Sequence, residues 1–400
     1  MGLRAVYLLK IDVDENHNVF FQMAEMPDGK IECKTGRIGA TPFPKKYPAR
    51  LWDKLYQQHI DDGFIDKTEV YGDMTASKTD RKKDIFDSIK DADVRGFFRA
   101  IVSTAKEKVK KEYSVSMRNV TPSMIKDAED IINLMEKTDD VSVFNTYLKK
   151  LFFTIPRQMF DVKEHLAPID ASKKDLLEIV KKEREILFLA SSEAKSEKIE
   201  KENDSEDFFE KYGIEARRCT KEEEENIKSH MDRYSVPKFK KAYRVVNKKT
   251  EKRFNNWCKR HGTGKKDIHF LYHGSKNFLI WPILLMGLVL NPNAPITGKM
   301  FGYGLYFANK AIKSVGYTSL LGSIWAKGGS RTGYLFVYKV AYKNPKHVQH
   351  WQHEMTSYTK EKIAPYDALF AHGGADLKND EIIVYDEAQA TIQYIIVLEA

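Results

Sequence analysis

Residues 85–190 carry apolar residues at helical spacing and contain no run with the alternation of a β-strand. The sequence on both sides is rich in β-branched and aromatic runs bounded by turn residues. We therefore expect the middle segment to fold as an all-α bundle of five or six helices. Thr121, followed by Pro122, is the predicted N-cap of one of these helices.

The first 75 residues predict a small β-meander closed by one helix. The runs VYLLKID, VFFQM and IECKT are typical of strands, and DENHN and MPDGK between them are typical of turns. Leu51, Leu55, Tyr56 and His59 then recur at helical spacing. The next segment, 72–84, has no apolar periodicity and is predicted to be a linker.

The pattern changes again after residue 190. Residues 191–207 are polar, charged and free of aromatic residues, which predicts a second linker. Beyond it, Thr220 and Glu223 have the spacing of a capping box, and β-rich runs such as HFLYHG and TIQYIIVLE follow. The sequence thus predicts a multi-domain α+β protein with domains over 1–75, 85–190 and 205–400.

The composition indicates a folded protein with a charged surface. Hydrophobic residues make up 42% of the chain and charged residues 31%, and the formal net charge is +9. These values are typical of a chain that forms a core, and not of a disordered one. The positive charge favours a polyanionic partner such as nucleic acid, an acidic membrane or a phosphate-rich substrate. A surface that only keeps the protein soluble is the alternative explanation.

The cysteines and the longest apolar run argue against a metal site and a membrane span. Cys33, Cys219 and Cys258 are far apart and lie in no CxxC or Cys/His pattern, so we expect reduced thiols and neither zinc nor disulfides. The run at 278–290 is about 13 residues long and contains Pro282, whereas a membrane span needs ~20 residues.

Three motifs in the last part of the chain combine polar and aromatic residues: YHGS at 272–275, GYGLYFANKAIKSVGY at 302–317 and EIIVYD at 381–386. Taken singly, each has an ordinary explanation. His273 fits a half-buried histidine, Tyr306 and Tyr317 fit core or surface aromatics, and Glu381 fits a solvent-facing strand residue. The segment GYGLYF is a poor dinucleotide-binding loop, because Phe307 stands where the third glycine would be.

In this order, the motifs resemble the catalytic domain of the poly(ADP-ribose) polymerases, which belong to the His-Tyr-Glu branch of ADP-ribosyltransferases. The matching segments are YHGS, PNAPITGKMFGYGLYFA, KSVGY and EIIVYD, and AYRVVNKKTEKRF at 242–254 is similar to the strand that leads into the site. The resemblance implies a mixed α/β domain with an antiparallel-rich split sheet. It also implies NAD+ as co-substrate, cleaved between nicotinamide and ribose, and no metal.

The resemblance implies a catalytic triad of His273, Tyr306 and Glu381. In it, His273 holds a ribose hydroxyl of NAD+ and Tyr306 lines the nicotinamide pocket. Glu381 stabilises the positive charge that develops on the ribose, and it orients and activates the incoming acceptor hydroxyl.

The nicotinamide ring would be gripped by residues around this triad. By resemblance, Tyr317 stacks on the ring, the Gly274 backbone meets the carboxamide, and Ser314 donates to the carboxamide oxygen. The NAD+-binding residues implied in this way are His273, Gly274, Ser275, Tyr303, Tyr306, Phe307, Ala308, Lys313, Ser314 and Tyr317.

Two family positions differ in this chain. The arginine of the loop after GL is not evident, and Val289 stands near it. The asparagine that often follows HGS in eukaryotic members has no counterpart in an ungapped comparison, where Leu279 falls. Both positions contact the adenosine half of NAD+ in the family, so the resemblance does not define which residues contact that half in this chain.

The helical segment resembles the regulatory domain that precedes the catalytic domain in DNA-dependent members. The most similar piece is KLFFTIPRQM at 150–159. In the family this domain covers the NAD+ site and loosens when DNA binds. The alternative is a plain packing partner for the catalytic domain.

The N-terminal part resembles a WGR domain, a nucleic-acid-binding module. KTGRIGA at 34–40 matches its signature with Gly36 and Arg37 in place, but Thr35 stands where the signature has its tryptophan. The implied nucleic-acid contacts are Arg37, Lys45 and Lys46. A basic cluster such as PKKYPAR is also typical of a solvated surface.

Together, these resemblances predict an NAD+-dependent poly(ADP-ribose) polymerase that broken DNA stimulates. We expect a monomer that binds DNA breaks or ends through its N-terminal domain and modifies protein acceptors, itself included. The expected location is inside the cell in association with DNA, in a eukaryotic nucleus or a bacterial cytoplasm. The alternatives are a mono-ADP-ribosyltransferase, which Glu381 disfavours because members limited to one transfer commonly lack that glutamate, and a non-catalytic nucleic-acid-binding scaffold.

Overall fold

The computed structural model of the protein describes residues 4–12, 17–71, 84–159, 161–290 and 300–400. Apart from Asp84, the predicted linker at 72–84 lies outside the described residues. The chain divides into two compact units, one of residues 1–81 and 107–197 and one of residues 82–106 and 198–400.

The first unit combines an antiparallel sheet with most of the helical segment. The sheet has the order β4-β3-β2-β1-β5, with β1 (Ala5–Asp12), β2 (His17–Glu25), β3 (Lys30–Arg37), β4 (Phe43–Pro48) and β5 (Ile65–Asp66). The helices are α1 (Trp52–Asp61), α2 (Thr68–Tyr71), α3 (Ala92–Glu112), α4 (Pro122–Lys137), α5 (Val141–Thr154) and α6 (Lys173–Glu202). Residues 92–106 of α3 and 198–202 of α6 belong to the second unit.

The helical segment differs from its prediction in two respects. The described part contains the four α-helices α3–α6 where five or six were expected. The predicted linker at 191–207 was wrong up to Glu202, because these residues continue α6 and bury Ser192, Glu193 and Ser196. Alanine, glutamate and lysine favour helix without any aromatic residue, so the polar composition was misleading. The identity of this segment as a regulatory domain stays a prediction.

The second unit holds two sheets and the remaining helices. The larger sheet has the order β6-β7-β14-β10-β8 and the smaller one β11-β12-β13-β9. Their strands are β6 (Ile214–Arg218), β7 (Phe239–Asn247), β8 (Ile268–Gly274), β9 (Leu305–Phe307), β10 (Thr332–Ala341), β11 (Pro345–Val348), β12 (Ala368–Ala371), β13 (Glu381–Val384) and β14 (Ala390–Glu399). The helices are α7 (Phe208–Tyr212), α8 (Lys221–His230), α9 (Lys248–Arg260), α10 (Ile280–Met286), α11 (Ala311–Val315) and α12 (Lys360–Ile363).

The two sheets of this unit meet at one backbone bridge. Tyr272 of β8 and Ala308, the residue after β9, exchange N–H to carbonyl hydrogen bonds of 2.8 and 3.0 Å. The strand pairs in these sheets are antiparallel except for β11 and β12 in the part that the structure describes. The mixed α/β prediction with antiparallel-rich sheets is therefore confirmed, and the bridge brings the end of β8 beside β9.

Local signals and packing fix the elements around this junction. The capping box at the start of α8 is confirmed, since the Thr220 hydroxyl accepts from the Glu223 N–H and the Glu223 carboxylate accepts from the Thr220 N–H. Residues 92–106 of α3 pack on the larger sheet, where the rings of Phe97 and Tyr243 stack with their centroids 4.5 Å apart. Burying such a side chain stabilises a fold by about 1.5–3 kcal/mol.

The described ranges contain neither a membrane-spanning helix nor a cluster of metal-binding side chains. None of the helices there is long and apolar enough to cross a membrane. No cluster of three or more His, Cys, Asp or Glu side chains is arranged there to hold a metal ion.

Candidate active site

His273 lies in β8, one residue before the strand ends. Its Nδ1 is 3.0 Å from the carbonyl oxygen of Tyr306. Because a carbonyl can only accept, Nδ1 carries the hydrogen and Nε2 is left as an acceptor. Burial lowers the pKa of His273 below its ordinary value, and the bond to Tyr306 opposes this only in part. The ring is therefore neutral at pH 7, with one lone pair available to a ligand.

Tyr306 lies at the centre of β9, and two hydrogen bonds fix its hydroxyl. The hydroxyl accepts from the Phe301 N–H at 3.1 Å and donates to the Gly302 carbonyl at 2.8 Å. The strand itself pairs with β13, where Tyr306 stands opposite Ile383. Burial and then the nearby charge of Glu381 raise the pKa of Tyr306, so the phenol stays neutral.

Glu381 is the first residue of β13 and forms an ion pair with Lys313 of α11. The Lys313 Nζ and the Glu381 Oε1 are 3.1 Å apart, and the two side chains are only 13% and 12% exposed. Burial raises the pKa of Glu381, while the Lys313 cation opposes this rise and favours the carboxylate. Lys313 also donates to the Asn379 carbonyl at 3.3 Å, which holds the ammonium group in place.

Gly274 is the last residue of β8, and neighbouring protein atoms leave no room for a side chain at this position. A Cβ at this position would lie 1.8 Å from the Ser314 carbonyl oxygen and 3.2 Å from the Cβ of Tyr317. In a strand, the N–H and C=O groups of residues i and i+2 point to the same edge. The N–H and C=O of Gly274 therefore point in the same direction as those of Tyr272, away from β10. This orientation leaves them on the side of Ala308, where a carboxamide could meet them.

The Ser314 hydroxyl has a protein partner in this structure. It is buried and donates to the Tyr272 carbonyl at 3.0 Å. That carbonyl also accepts from the Ala308 N–H at 3.0 Å, so it stays satisfied if the hydroxyl turns away. The Ser314 hydroxyl can therefore leave the Tyr272 carbonyl without leaving that carbonyl unpaired.

Tyr317 follows α11 and lies within the electrostatic reach of Glu381. Burial, and then the Glu381 charge, raises the pKa of Tyr317 to about 12. Its backbone N–H donates to the Ser314 carbonyl at 3.0 Å. The charge of Glu381 thus contributes to the raised pKa of both Tyr306 and Tyr317.

The other NAD+-binding residues of the prediction have packing or backbone roles. Phe307 is buried with its ring edge-on to His273 at a centroid distance of 6.0 Å, and Ala308 forms the bridge between the sheets. Ser275 is buried directly after β8. Tyr303 is half-buried, and its N–H donates to the Tyr358 carbonyl at 2.8 Å. Of the matching segment PNAPITGKMFGYGLYFA, residues 292–299 lie outside the described residues.

The predicted nucleic-acid contacts lie in the other unit. Arg37 is half-buried at the end of β3, and Lys45 and Lys46 are exposed on β4, an edge strand.

The sequence comparison missed Asn277, which lies close to the end of β8. Its N–H donates to the Ser319 hydroxyl and its side-chain amide donates to the Thr332 carbonyl, each at 2.9 Å. Its Oδ1 is buried and has no hydrogen-bond partner among the described residues. Without a gap, Leu279 stands at the position of the asparagine that follows HGS in the family. A gap of two residues after Ser275 would place Asn277 at that position.

The donors and acceptors around β8 fit NAD+. An acceptor at His273 Nε2 suits a ribose hydroxyl, the aromatic face of Tyr317 suits the nicotinamide ring, and the outward backbone of Gly274 suits its carboxamide. The unpartnered Asn277 Oδ1 offers a further acceptor to a polar ligand. NAD+ would supply the bond that is cleaved, and these side chains would bind and orient it.

Comparisons with known proteins point in the same direction. The family model for the poly(ADP-ribose) polymerase catalytic domain matches residues 215–400. A poly(ADP-ribose) polymerase-like protein of invertebrate iridescent virus 6 is 30% identical over 162 residues, which are 39% of this chain and 83% of the viral protein.

Cellular relatives show similar identity over a smaller share of their length. Poly(ADP-ribose) polymerase of Sarcophaga peregrina is 33% identical over 153 residues, 33% of this chain and 15% of the insect protein. Poly(ADP-ribose) polymerase 2 of Homo sapiens is 30% identical over 163 residues, 33% of this chain and 27% of the human protein. The match thus spans most of the viral relative and less than a third of these two cellular relatives.

Proposed function

Since the chain belongs to the poly(ADP-ribose) polymerase family, we propose that it elongates chains of ADP-ribose on protein acceptors and releases nicotinamide from NAD+. ADP-ribose transfer from NAD+ is the activity of the family's catalytic domain, which matches residues 215–400. Elongation is the additional step that the proposal assigns to this chain.

The buried ion pair of Glu381 and Lys313 carries the elongation proposal. Lys313 holds the carboxylate of Glu381 at the start of β13, the strand that pairs with the strand of Tyr306, and the proposal places the ribose of bound NAD+ against this carboxylate. A carboxylate there stabilises the positive charge that develops as nicotinamide leaves. Because burial raises its pKa, Glu381 is also a stronger base than an exposed glutamate. It can therefore accept the proton of an incoming ribose hydroxyl, which chain growth requires.

His273 and Tyr317 would set the position of the substrate for this step. His273 accepts a hydrogen bond from a ribose hydroxyl through Nε2, and Tyr317 holds the plane of the leaving ring. Neither residue needs to change its protonation state, since the imidazole is neutral at pH 7 and the phenol has a raised pKa. In this proposal, His273 and Tyr317 position the substrate, and Glu381 stabilises charge and accepts the proton.

We also propose that DNA breaks stimulate the enzyme through the N-terminal sheet. Thr35 of β3 stands directly opposite Phe43 of β4, and Phe43 is 71% exposed. Opposed residues share a face of the sheet, so an aromatic ring is available beside the position where the signature has its tryptophan. Stacking of a base on such a ring contributes about 1–3 kcal/mol. The exposed Lys45 and Lys46 on the same edge strand would contact phosphates.

The helical segment is proposed to restrain the enzyme until DNA binds. Asp93 of α3 forms an ion pair with Lys241 of β7, and its Oδ2 is 3.5 Å from the Arg218 Nε. If the restraint acts through this contact, D93N raises the DNA-free rate of nicotinamide release. An unchanged DNA-free rate in D93N would argue against this route.

The proposed enzyme works as a monomer inside the cell, on acceptors that include itself.

A single assay tests elongation and DNA dependence together. The full chain is incubated with NAD+ labelled in the adenylate part, with and without a blunt DNA duplex, and the products are separated on a gel. We expect long products whose amount rises several-fold with DNA. Products that carry one ADP-ribose per acceptor would support the mono-ADP-ribosyltransferase alternative. Absence of label with DNA present would contradict the proposal.

A further inference from the structure

Trp325 lies beside Tyr317 in a loop, residues 318–330, that neither the motifs nor the comparisons assign to the site. The two rings are close to parallel, with centroids 6.2 Å apart and planes inclined by 21°. This separation lies in the range of offset aromatic pairs. Trp325 is nevertheless 59% exposed, so its indole does not serve mainly to fill a core.

Tyr317 and Tyr306 are held in different ways. The hydroxyl of Tyr306 is fixed by hydrogen bonds on both sides, to Phe301 and Gly302. In the part of the chain that the structure describes, no hydrogen bond holds the Tyr317 hydroxyl, and Trp325 is the aromatic neighbour of its ring. The plane of the Tyr317 ring therefore depends on packing, and Trp325 supplies one of its packed surfaces.

The loop is built so that the indole can take this position. The N–H groups of Trp325 and Ala326 both donate to the Gly316 carbonyl, at 3.0 and 3.2 Å. A Cβ at Gly316 would lie 3.0 Å from the indole Cδ1, so glycine lets the indole approach the backbone. The next residue, Lys327, has a φ of 49°, the only positive value at a non-glycine residue among those described. Such backbone conformations persist where the surrounding structure imposes them.

We infer that Trp325 is a positioning residue that fixes the plane of Tyr317 and thereby sets the affinity of the site for a flat aromatic carboxamide. The inference rests on the proposed function, because it takes Tyr317 as the residue that stacks on nicotinamide. A tilted Tyr317 ring would lose contact with the bound ring while Glu381 and His273 stay in place. The expected signature is weaker binding with little change in turnover.

The test uses the full chain with W325A, W325F and I324A. W325F keeps an aromatic ring, and I324A removes a neighbouring apolar side chain that is 76% exposed and belongs to the same loop. The dissociation constant of benzamide and the KM for NAD+ should rise about two- to tenfold in W325A, the range for loss of one aromatic pair. The kcat should stay close to that of the unmodified chain, and both W325F and I324A should bind benzamide normally.

Fluorescence gives an independent readout of the same contact. Of the five tryptophans, Trp52, Trp257 and Trp281 are buried, so quenching by acrylamide reports mainly on Trp325 and Trp351. Benzamide should change the quenching of the unmodified chain and of W351F, and it should have no effect on W325F. A W325A protein that binds benzamide as tightly as the unmodified chain, while Y317A has lost binding, would overturn the inference alone.

If the proposed function itself is wrong, the experiments give a different result from the one that overturns the Trp325 inference alone. In that case the unmodified chain itself neither binds benzamide nor releases nicotinamide from NAD+, with or without DNA. Thermal unfolding of each variant separates a folding defect from a binding defect, and W325A should unfold close to the temperature of I324A because both residues are exposed. A large drop for W325A alone, accompanied by a loss of kcat, would contradict a role in positioning.

Discussion

His273 donates through Nδ1 to the backbone carbonyl oxygen of Tyr306, 3.0 Å away, and this bond decides which nitrogen of the imidazole faces a ligand. The strand that carries Tyr306 also pairs with the strand that begins at Glu381. Three residues that are far apart in the sequence are therefore linked through β8, β9 and β13. The site is built on strands, which hold side chains more rigidly than loops do.

Replacement of His273 by asparagine tests the role of Nε2. The H273N amide can still donate towards Tyr306, but it offers no acceptor where Nε2 stands. We expect the KM for NAD+ to rise about two- to tenfold, as for the loss of one hydrogen bond of about 0.5–1.5 kcal/mol. Steady-state kinetics with NAD+ checks this, and H230N, at an exposed position on α8, is the control. An unchanged KM in H273N would exclude His273 as a ligand of the ribose.

Removal of the Lys313 charge should move the pH dependence of the reaction. The pKa of Glu381 is raised by burial, and Lys313 opposes that rise. In K313M the opposing cation is gone, so the carboxylate takes up its proton at a higher pH. Since the ionised form is the active one, the acid limb of the rate profile should shift to higher pH. K259M, at an exposed position on α9, should keep the original limb.

A shift of that limb to lower pH in K313M would contradict the electrostatic assignment. The limb should be absent in E381Q, because an amide does not titrate in this range. The pH profile of kcat, measured at saturating NAD+, gives both results.

Addition of one methyl group at Gly274 should damage both stability and binding. The new Cβ would lie 1.8 Å from the Ser314 carbonyl oxygen, so β8 and α11 must separate. We expect a loss of about 1–3 kcal/mol in the free energy of unfolding, typical of overpacking, together with weaker binding of benzamide. G329A is the matched control, because its Cβ would meet no atom within 4 Å. Denaturant unfolding with equal stability of G274A and G329A would refute the close approach.

Much of the fold was predictable because its signals are local. The caps at Thr121 and Thr220 and the β-rich runs of the last part depend on neighbouring residues, and the structure has them where they were expected. The linker at 191–207 failed because burial of α6 is decided by distant contacts that a polar composition does not reveal.

The sequence names candidate residues for the site, but it does not reveal the contacts that the structure shows around them. Motif resemblance named His273, Tyr306 and Glu381, but the tautomer of His273 depends on a carbonyl 33 residues away in the sequence. In the same way, the reason for glycine at position 274 is the Ser314 carbonyl, which a strand pattern cannot show. Asn277 and Trp325 are not evident from the sequence because their contacts join residues across loops.

Neutralisation of the basic edge strand should reduce the salt dependence of DNA binding. Each phosphate contact contributes about one unit to the slope of log affinity against log salt. The double variant K45Q/K46Q should therefore lower that slope by about two, as measured by fluorescence anisotropy with a labelled blunt duplex. K259Q/K265Q, on the other unit, is the control. An unchanged slope in K45Q/K46Q would assign these lysines to the solvated surface.

The release of nicotinamide by E381Q tests the central claim most directly. NAD+ labelled in its nicotinamide ring is incubated with the unmodified chain, with E381Q and with E361Q, an exposed control on α12. We expect E381Q to bind benzamide normally and to release nicotinamide about 10²–10³ times more slowly, as when one group that stabilises transition-state charge is removed. E361Q should match the unmodified chain. Release by E381Q at the rate of the unmodified chain would contradict the claim that the site around Glu381 cleaves NAD+.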